Sequence, residues 1–357
     1  LAAVMAPLGG MAAFVRPGQK VLLKPNLLSD AEPERATTTH PEVVRAVIRA
    51  VRACGGEPRV ADCAANVKVL EKVWCRTGME AVCREEGAPL LNLEKAGSQT
   101  FTVDGFGFSI ARPVLEADVV INLPKIKTHI LVVFTGAVKN LYGTVPGLQK
   151  THLHKLYPRP RDFARLLLAV SAQVRPALTI ADGVVGMEGD GPSGGDPVRL
   201  GLLAAAADGV ALDATLCRLL GIGVARVPHL VWAQRLGVGT VDAAQIEIVG
   251  DLGPAPHLPV LRLPTRLPVD LIPRWFFRLF RPLVWHRPFF TERCVKCGQC
   301  VRACPTGALR REPDARPVLA PQLCVECCCC HEVCPARAIE MRPSPLLRAL
   351  HRLRRPS

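Results

Sequence analysis

The chain has 357 residues, 49% hydrophobic and 21% charged, which is enough to bury a substantial core across roughly two domains and too apolar for a disordered polymer. Its formal charge of +14 argues first for basic faces and tails, with an acidic redox partner or anionic lipid as the sharper readings. Nucleic acid is not expected, because no aromatic-interleaved basic sheet or recognition helix accompanies the charge. No apolar run reaches the roughly 18 residues that a spanning helix needs, so a soluble or peripheral protein of the cytoplasm is expected.

The opening LAAVMAPLGGMAAFV lacks an initiator Met, a basic leader and a cleavage site, and reads as a helix entered partway rather than a signal peptide. From Val21 to about Gly250, short β-branched or apolar runs alternate with longer helical stretches. Strands are predicted at 21–25, 59–63, 118–124, 177–183, 199–207 and 245–250. One helix is predicted to start at Thr39 as N-cap and stop at Gly55 and Gly56, with others over 162–172 and 210–220. That alternation predicts an α/β fold, an open and mostly parallel sheet with flanking helices, over residues 1–255.

In such sheets the functional groups gather beyond the C-terminal ends of the strands. Lys24 and Asn26 follow the first predicted strand, Asp62 the second, Lys125, Lys127, Thr128 and His129 the third, and Asp182 and Glu188 the fourth. The stretch NLPKIKTHILVVFTGAVKNLYGTVPG gathers Lys125, Lys127, His129 and Lys139 with Thr135, Gly136 and Asn140. Lysines supply point charge, Gly136 lets backbone N–H groups approach, and a helix starting there adds its dipole, a combination suited to an anion; a solvated Lys-rich loop is the bland alternative. Catalytic roles are expected for Lys125, Lys127, His129, Lys139 and Asp182, and substrate binding for Lys24, Asn26, Thr128, Gly136 and Asn140. Asp182, Glu188, Asp190, Asp208 and Asp213 are candidates for acid/base work or a divalent metal such as Mg or Mn, with helix capping preferred for Asp208. Gly189, Gly191 and Gly194 spell G-x-G-x-x-G, but Pro192 and Pro197 deny the helix a dinucleotide fingerprint needs, so a flexible loop or lid is expected.

Residues 256–290 form a connector rich in Pro, Arg and aromatics, where Trp275, Phe276, Phe277, Phe280 and Trp285 interleave with Arg274, Arg278 and Arg281. Packing of one domain on the other is preferred there over a membrane interface. The cysteines then decide the chemistry. Ten of fifteen lie between Cys294 and Cys334, while Cys54, Cys63, Cys75, Cys83 and Cys217 read as small buried side chains.

CVKCGQCVRACP places Cys294, Cys297, Cys300 and Cys304 in a C-x2-C-x2-C-x3-C run before Pro305, and CVECCCCHEVCP repeats it with Cys324, Cys327, Cys330 and Cys334 before Pro335. Three closely spaced thiolates wrap one cubane and the fourth crosses to the other half. Cys294, Cys297, Cys300 and Cys334 are therefore assigned to one 4Fe-4S cluster, and Cys324, Cys327, Cys330 and Cys304 to a second. Zinc knuckles or a disulfide knot are the alternatives, and neither requires this duplicated run with its prolines. Cys328 and Cys329 stand at spacer positions and are not expected to be ligands, with competition for the places of Cys327 or Cys330 as the alternative if the loop shifts. The module is taken as residues 291–342 and is followed by a basic tail at 343–357, a candidate surface helix or partner contact.

VLLKPNLL with THPEVV, then INLPKIKTH, FTGAVKNLYG and IADGVVGMEGDGP, together resemble the DUF362 family in versions that end in a bacterial-type ferredoxin domain, over roughly residues 15–340. The family's characteristic positions fall here on Lys24, Pro25, Asn26, Thr39, His40, Pro41, Lys125, Lys127, Thr128, His129, Gly136, Lys139, Asn140, Gly143, Asp182 and Gly183. The spacing from His129 to Lys139 also resembles that of the nickel-pincer lactate racemase family. A family of unknown function implies architecture more than chemistry. The leading expectation is an iron-sulfur oxidoreductase acting on a small anionic substrate, exchanging electrons with a carrier or partner redox enzyme. The competing readings are a non-enzymatic ferredoxin-like adaptor that docks a partner, and a metal-dependent enzyme with structural clusters.

Overall fold

Val21, Leu22 and Leu23 are all buried because the strand that contains them is covered on both faces, which is why the early apolar runs do not alternate. The computed structural model describes residues 1–63, 70–251, 258–264 and 283–348. The strands of the large domain are β1 (Lys20–Pro25), β2 (Glu57–Asp62), β3 (Leu90–Asn92), a separate hairpin of β4 (Ser98–Val103) and β5 (Phe106–Ala111), β6 (Val119–Leu123), β7 (Lys125–His129), β8 (Val133–Thr135), β9 (Leu178–Glu188) and β10 (Asp196–Ala206). The main sheet has the order β3-β2-β1-β6-β9-β7-β8, and β10 pairs with β9. Its pairings are parallel except for β7 with β8 and β9 with β10. The open, mostly parallel sheet read from the sequence is thus present.

Side chains alternate between two layers. Val21, Leu23, Val60 and Ile121 meet Val44, Val47, Ile48 and Val51 of helix α1 (Pro41–Ala53). On the other face, Leu22, Ala61 and Val120 join the cluster that contains Phe163, Leu166 and Val170 of a long helix, Pro160–Val174. β1 has β2 on one side and β6 on the other, so the strand order reverses at β1, and the C-terminal ends of β1, β2 and β6 form the crevice where ligands of such sheets bind.

Several predicted boundaries move for identifiable reasons. The N-cap of α1 is His40, whose ring accepts from Glu42 N, while Thr39 Oγ1 instead accepts from Asn26 N and donates to Leu123 O, tying two strand ends together. Residues 245–250 do not form a strand: Ile248 and Val249 are 57% and 60% exposed, and among the described residues no partner strand lies beside them. Residues 258–264 return to the large domain, with Leu261 in its core and Leu261 N bonded to Leu220 O. Cys75 is exposed and Cys54 half-buried, whereas Cys63, Cys83 and Cys217 are buried as expected.

The cysteine module starts earlier than its first cysteine. β11 (His286–Phe290), placed in the connector by sequence, pairs antiparallel with β14 (Ile339–Pro343), and β12 (Leu309–Arg310) pairs with β13 (Val318–Leu319). Most of the predicted aromatic connector, including Trp275, Phe276, Phe277 and Phe280, and the tail beyond 348 lie outside the described residues.

Candidate functional site at the domain interface

The two halves of the cysteine module superpose in sequence and in backbone. Lys296 and Glu326 both take positive φ, 56° and 58°, and so do Gly298 and Cys328, 72° and 64°. Each of the latter pair precedes a one-turn helix, Gln299–Arg302 and Cys329–Glu332. The left-handed backbone is natural for Gly298 and costly for Cys328, whose side chain is kept buried against Ile130 and Met341.

Two cavities open inside this repeat. One, with about 330 Å³ free of atoms, is walled by Cys294, Cys297, Cys300 and Cys334. The other, with about 340 Å³, is walled by Cys304, Cys324, Cys327 and Cys330, with Cys328 at its edge. Backbone N–H groups of Ala308 and Ala338 point at the sulfurs of Cys304 and Cys334, both at 3.2 Å, as donors to anionic sulfur would. Among the described residues no three His, Cys, Asp or Glu side chains converge to hold a single metal ion. Cysteines spread around a void fit a polynuclear cluster better than one zinc ion.

In the large domain the candidate acids are engaged within the protein. Asp182 is held by Lys125 and by His40 N, Glu188 by Arg262, and Asp208 caps the helix Gly209–Leu219 as preferred. Asp213, a candidate acid, caps backbone instead: its carboxylate accepts from Ala137 N at 2.6 Å and Val138 N at 3.1 Å. This also corrects the role of Gly136. A Cβ there would stand 2.0 Å from Asp213 Oδ1, so Gly136 admits the protein's own carboxylate, and the expected anion site on that helix start is already filled.

The lysines divide into structural and available. Lys24 Nζ pairs with Asp62 Oδ1 at 2.8 Å and reaches Pro25 O at 2.7 Å and Asn140 Oδ1 at 3.3 Å. Lys125 Nζ pairs with Asp182 Oδ2 at 2.6 Å. Lys127 Nζ donates to Asn26 Oδ1 and Thr37 O at 2.7 and 2.6 Å, and among the described residues it forms no ion pair with a carboxylate. Burial lowers the pKa of all three; for Lys24 and Lys125 the paired carboxylate opposes the shift, and Lys127, which also feels Lys139, goes well below the ordinary lysine range. Thr128 is likewise engaged, its hydroxyl donating to Gly189 O at 2.8 Å.

Lys139, with Lys150 beside it, lines a cavity. Its ammonium lies 4.9 Å from the ring centre of Tyr142 and 5.6 Å from that of Phe163, and burial lowers its pKa against the pull of Glu332. About 650 Å³ of space lies between the domains, lined by Asn26, Lys139, Asn140 and His154 on one side and by Cys329 and Glu332 on the other. Asn140 holds the floor rigid, donating to Lys24 O and Asn122 Oδ1. His154, stacked on Phe163 at 4.3 Å, is kept neutral by burial, its pKa lowered to about 3.

His129 does not line that cavity but meets its far wall. Leu131 N donates to His129 Nδ1, so the ring proton sits on Nε2, which faces Glu332 Oε1 at 3.4 Å. The module is fastened here by the glycine-rich loop: Ser193 Oγ donates to Glu332 O at 2.9 Å, and Arg337 donates to Ser193 O at 3.0 Å and to Gly195 O. The expected lid is therefore a clasp. A Cβ on Gly194 would sit 2.6 Å from His331 Nε2, so the glycines serve close contact rather than a swinging loop.

Sequence reasoning did not single out Glu332, Cys329 or His154. Comparison of the two cysteine repeats holds the missing signal, since Val301-Arg302 in the first becomes His331-Glu332 in the second.

Residues 21–218 match the Domain of unknown function (DUF362), and residues 288–310 match the 4Fe-4S binding domain. The chain is 37% identical over 245 residues to the thylakoid-associated protein sll1697 of Synechocystis sp., covering 68% of this chain and 76% of that protein. Among solved structures, the lactate racemase apoprotein from Thermoanaerobacterium thermosaccharolyticum aligns with a TM-score of 0.41 at 15% identity, over 57% of this chain and 49% of that one, so the chain spans about half the length of that protein. With more than half of its length matched and a relative of this identity, the chain belongs to the DUF362 family, joined here to a C-terminal 4Fe-4S binding domain.

Proposed function

We propose that this protein is a two-cluster iron-sulfur oxidoreductase in which the DUF362 domain holds a small anionic molecule against the inner face of the cysteine module. The observation that carries the reading is the shared cavity: Lys139 stands on one wall, and Cys329 and Glu332, each within two residues of the predicted ligand Cys330, stand on the other. When bound, 4Fe-4S clusters supply one-electron steps. The chain's own residues do the rest. Lys139, resting on ring faces and hydrogen-bonded to no carboxylate among the described residues, attracts an anionic group, while Lys24, Asp62 and Asn140 keep the floor in place. The His129 Nε2 proton and the Glu332 carboxyl, whose pKa burial raises against three lysines, supply a proton-bearing pair behind the cavity wall.

Fifteen cysteines, none of them disulfide-bonded, suit a reducing compartment such as the cytoplasm. No helix among the described residues is long and apolar enough to cross a membrane. The relative's thylakoid association extends the proposal to peripheral contact with a membrane surface.

Anaerobic reductive titration, with and without a panel of small carboxylates and phosphates, tests the reading. A metabolite-dependent shift that disappears in Lys139→Met supports it. Reversible reduction with no shift from any metabolite supports the adaptor alternative instead.

A further inference from the structure

We propose that the outer end of the cysteine module, around Cys297, is the docking surface for an acidic one-electron carrier protein. This rests on the electron-relay reading and adds where, and from what kind of partner, electrons arrive.

The two pseudo-equivalent halves carry opposite charge at matched positions. Lys296 and Arg302 in the first half correspond to Glu326 and Glu332 in the second. The second half turns inward, with Glu332 8% exposed against the large domain and Cys327 also 8% exposed. The first half turns outward. Cys297 is exposed, and Val295 beside it is 65% exposed. Arg302 donates to Cys297 O at 3.3 Å, and both Arg302 and Arg311 come within 4 Å of where a Cβ on Gly298 would stand, so two guanidinium side chains flank the outermost cysteine loop.

The surrounding charge is one-sided. Arg293, Lys296, Arg302, Arg310 and Arg311 are all exposed, and of the acids nearby in the chain Glu292 is neutralised by Arg316, leaving Glu312 and Asp314. A small apolar tip inside a cationic rim suits a weak, fast and salt-sensitive complex with a partner of opposite charge, the usual type for electron carriers. Anionic lipid would use the same charge but would not require the rim to centre on an exposed cysteine. In the transfer the carrier would give up one electron and be oxidised by one equivalent, and a 4Fe-4S cluster, which Cys294, Cys297, Cys300 and Cys334 would hold, would accept it; no bond or proton moves.

The test uses the full chain, purified anaerobically, and an acidic flavodoxin as the probe. Binding by titration calorimetry and reduction by the flavodoxin hydroquinone are followed at low and moderate salt, with dithionite reduction and vesicles containing anionic lipid as separate arms. The expected result is flavodoxin binding that weakens at least tenfold with added salt. Arg293→Glu with Arg311→Glu, which leaves the Arg302 contact to Cys297 intact, should weaken it at least tenfold more, while Arg226→Glu on the large domain leaves it unchanged and dithionite reduces every variant equally. Dithionite reduction without flavodoxin binding would overturn the docking surface and leave the relay standing. Binding to vesicles but not to flavodoxin would also overturn it, and failure of dithionite itself would overturn the relay reading together with this one.

Discussion

Glu332 Oε1 and His129 Nε2 face each other at 3.4 Å across the domain interface, beyond full hydrogen-bonding distance, and neither atom has a hydrogen-bond partner among the described residues. The cysteine module thus presents a buried carboxyl to a buried, neutral imidazole of the large domain, whose pKa burial and the nearby Lys139 drive well below the ordinary histidine range. Glu332→Ala breaks no formed hydrogen bond; it takes away the long electrostatic contact to the ring N–H and leaves space where the side chain packed, and should cost about 1–2 kcal/mol. Glu332→Gln keeps an acceptor there and should cost less than about 1 kcal/mol. Chemical denaturation followed by tryptophan fluorescence under anaerobic conditions separates the two, and equal losses would show that the pair is not coupled.

The Lys24–Asp62 pair is fully buried, with side chains 0% and 3% exposed. Lys24→Met alone should destabilise by about 3–5 kcal/mol, because it strands a carboxylate in the interior. Lys24→Met with Asp62→Leu should recover part of that loss, although Asp62 Oδ2 also accepts from Leu27 N, so recovery stays incomplete. A double variant as unstable as the sum of the singles would argue against the pair acting as a unit.

Gly136→Ala should be among the most damaging small changes in the chain. The new Cβ would stand 2.0 Å from Asp213 Oδ1 and 2.6 Å from Phe134 Cε1, at a site where both neighbours are buried. A loss of about 3 kcal/mol or more, or failure to accumulate as folded protein, is expected. Asp213→Asn, which keeps the shape but weakens two charge-assisted bonds to Ala137 and Val138, should cost about 1–3 kcal/mol, and the same denaturation assay reads both.

Acid should destabilise the large domain through His154. Its folded pKa of about 3 lies below the unfolded value near 6.5, so the unfolded chain takes up the proton first. The stability this group contributes is complete above about pH 6.5 and is lost as pH falls towards 3, at up to about 1.4 kcal/mol per pH unit. His129 acts in the same direction. Denaturation midpoints at pH 7, 6 and 5 should therefore fall for the native chain and fall less steeply for His154→Leu. Identical slopes would mean that His154 is not held neutral.

β1, β2, β6, β9 and β10 were legible from their apolar runs, because strands covered on both faces are continuously hydrophobic and their polar ends then stand out, whereas β3, β7 and β8, short or polar in sequence, were not. Lys24, Lys125 and Asp182 were found this way, and Asn140 from the lysine-rich stretch that contains it. What the runs could not show was which lysines are already engaged: Asp62 and Asp182 neutralise Lys24 and Lys125, Asn26 and Thr37 O accept from Lys127, and only the tertiary arrangement places Lys139 at a cavity. Gly136 read as an anion site because its intended carboxylate, Asp213, lies far away in sequence. Glu332 was hidden inside the cysteine repeat, where ligand spacing dominates the pattern, and the clasp at Ser193 could not be told from a lid without its partner, Arg337.

The most direct test is an anaerobic count of iron and acid-labile sulfide in the native chain and in two variants, one per cavity, Cys297→Ala and Cys327→Ala. Two 4Fe-4S clusters with the cysteines divided as proposed predict about eight irons and eight sulfides in the native chain, and about four of each when either cavity loses a wall cysteine. Zinc in place of iron, or four irons in the native chain that one of the two variants leaves untouched, would contradict the two-cluster relay.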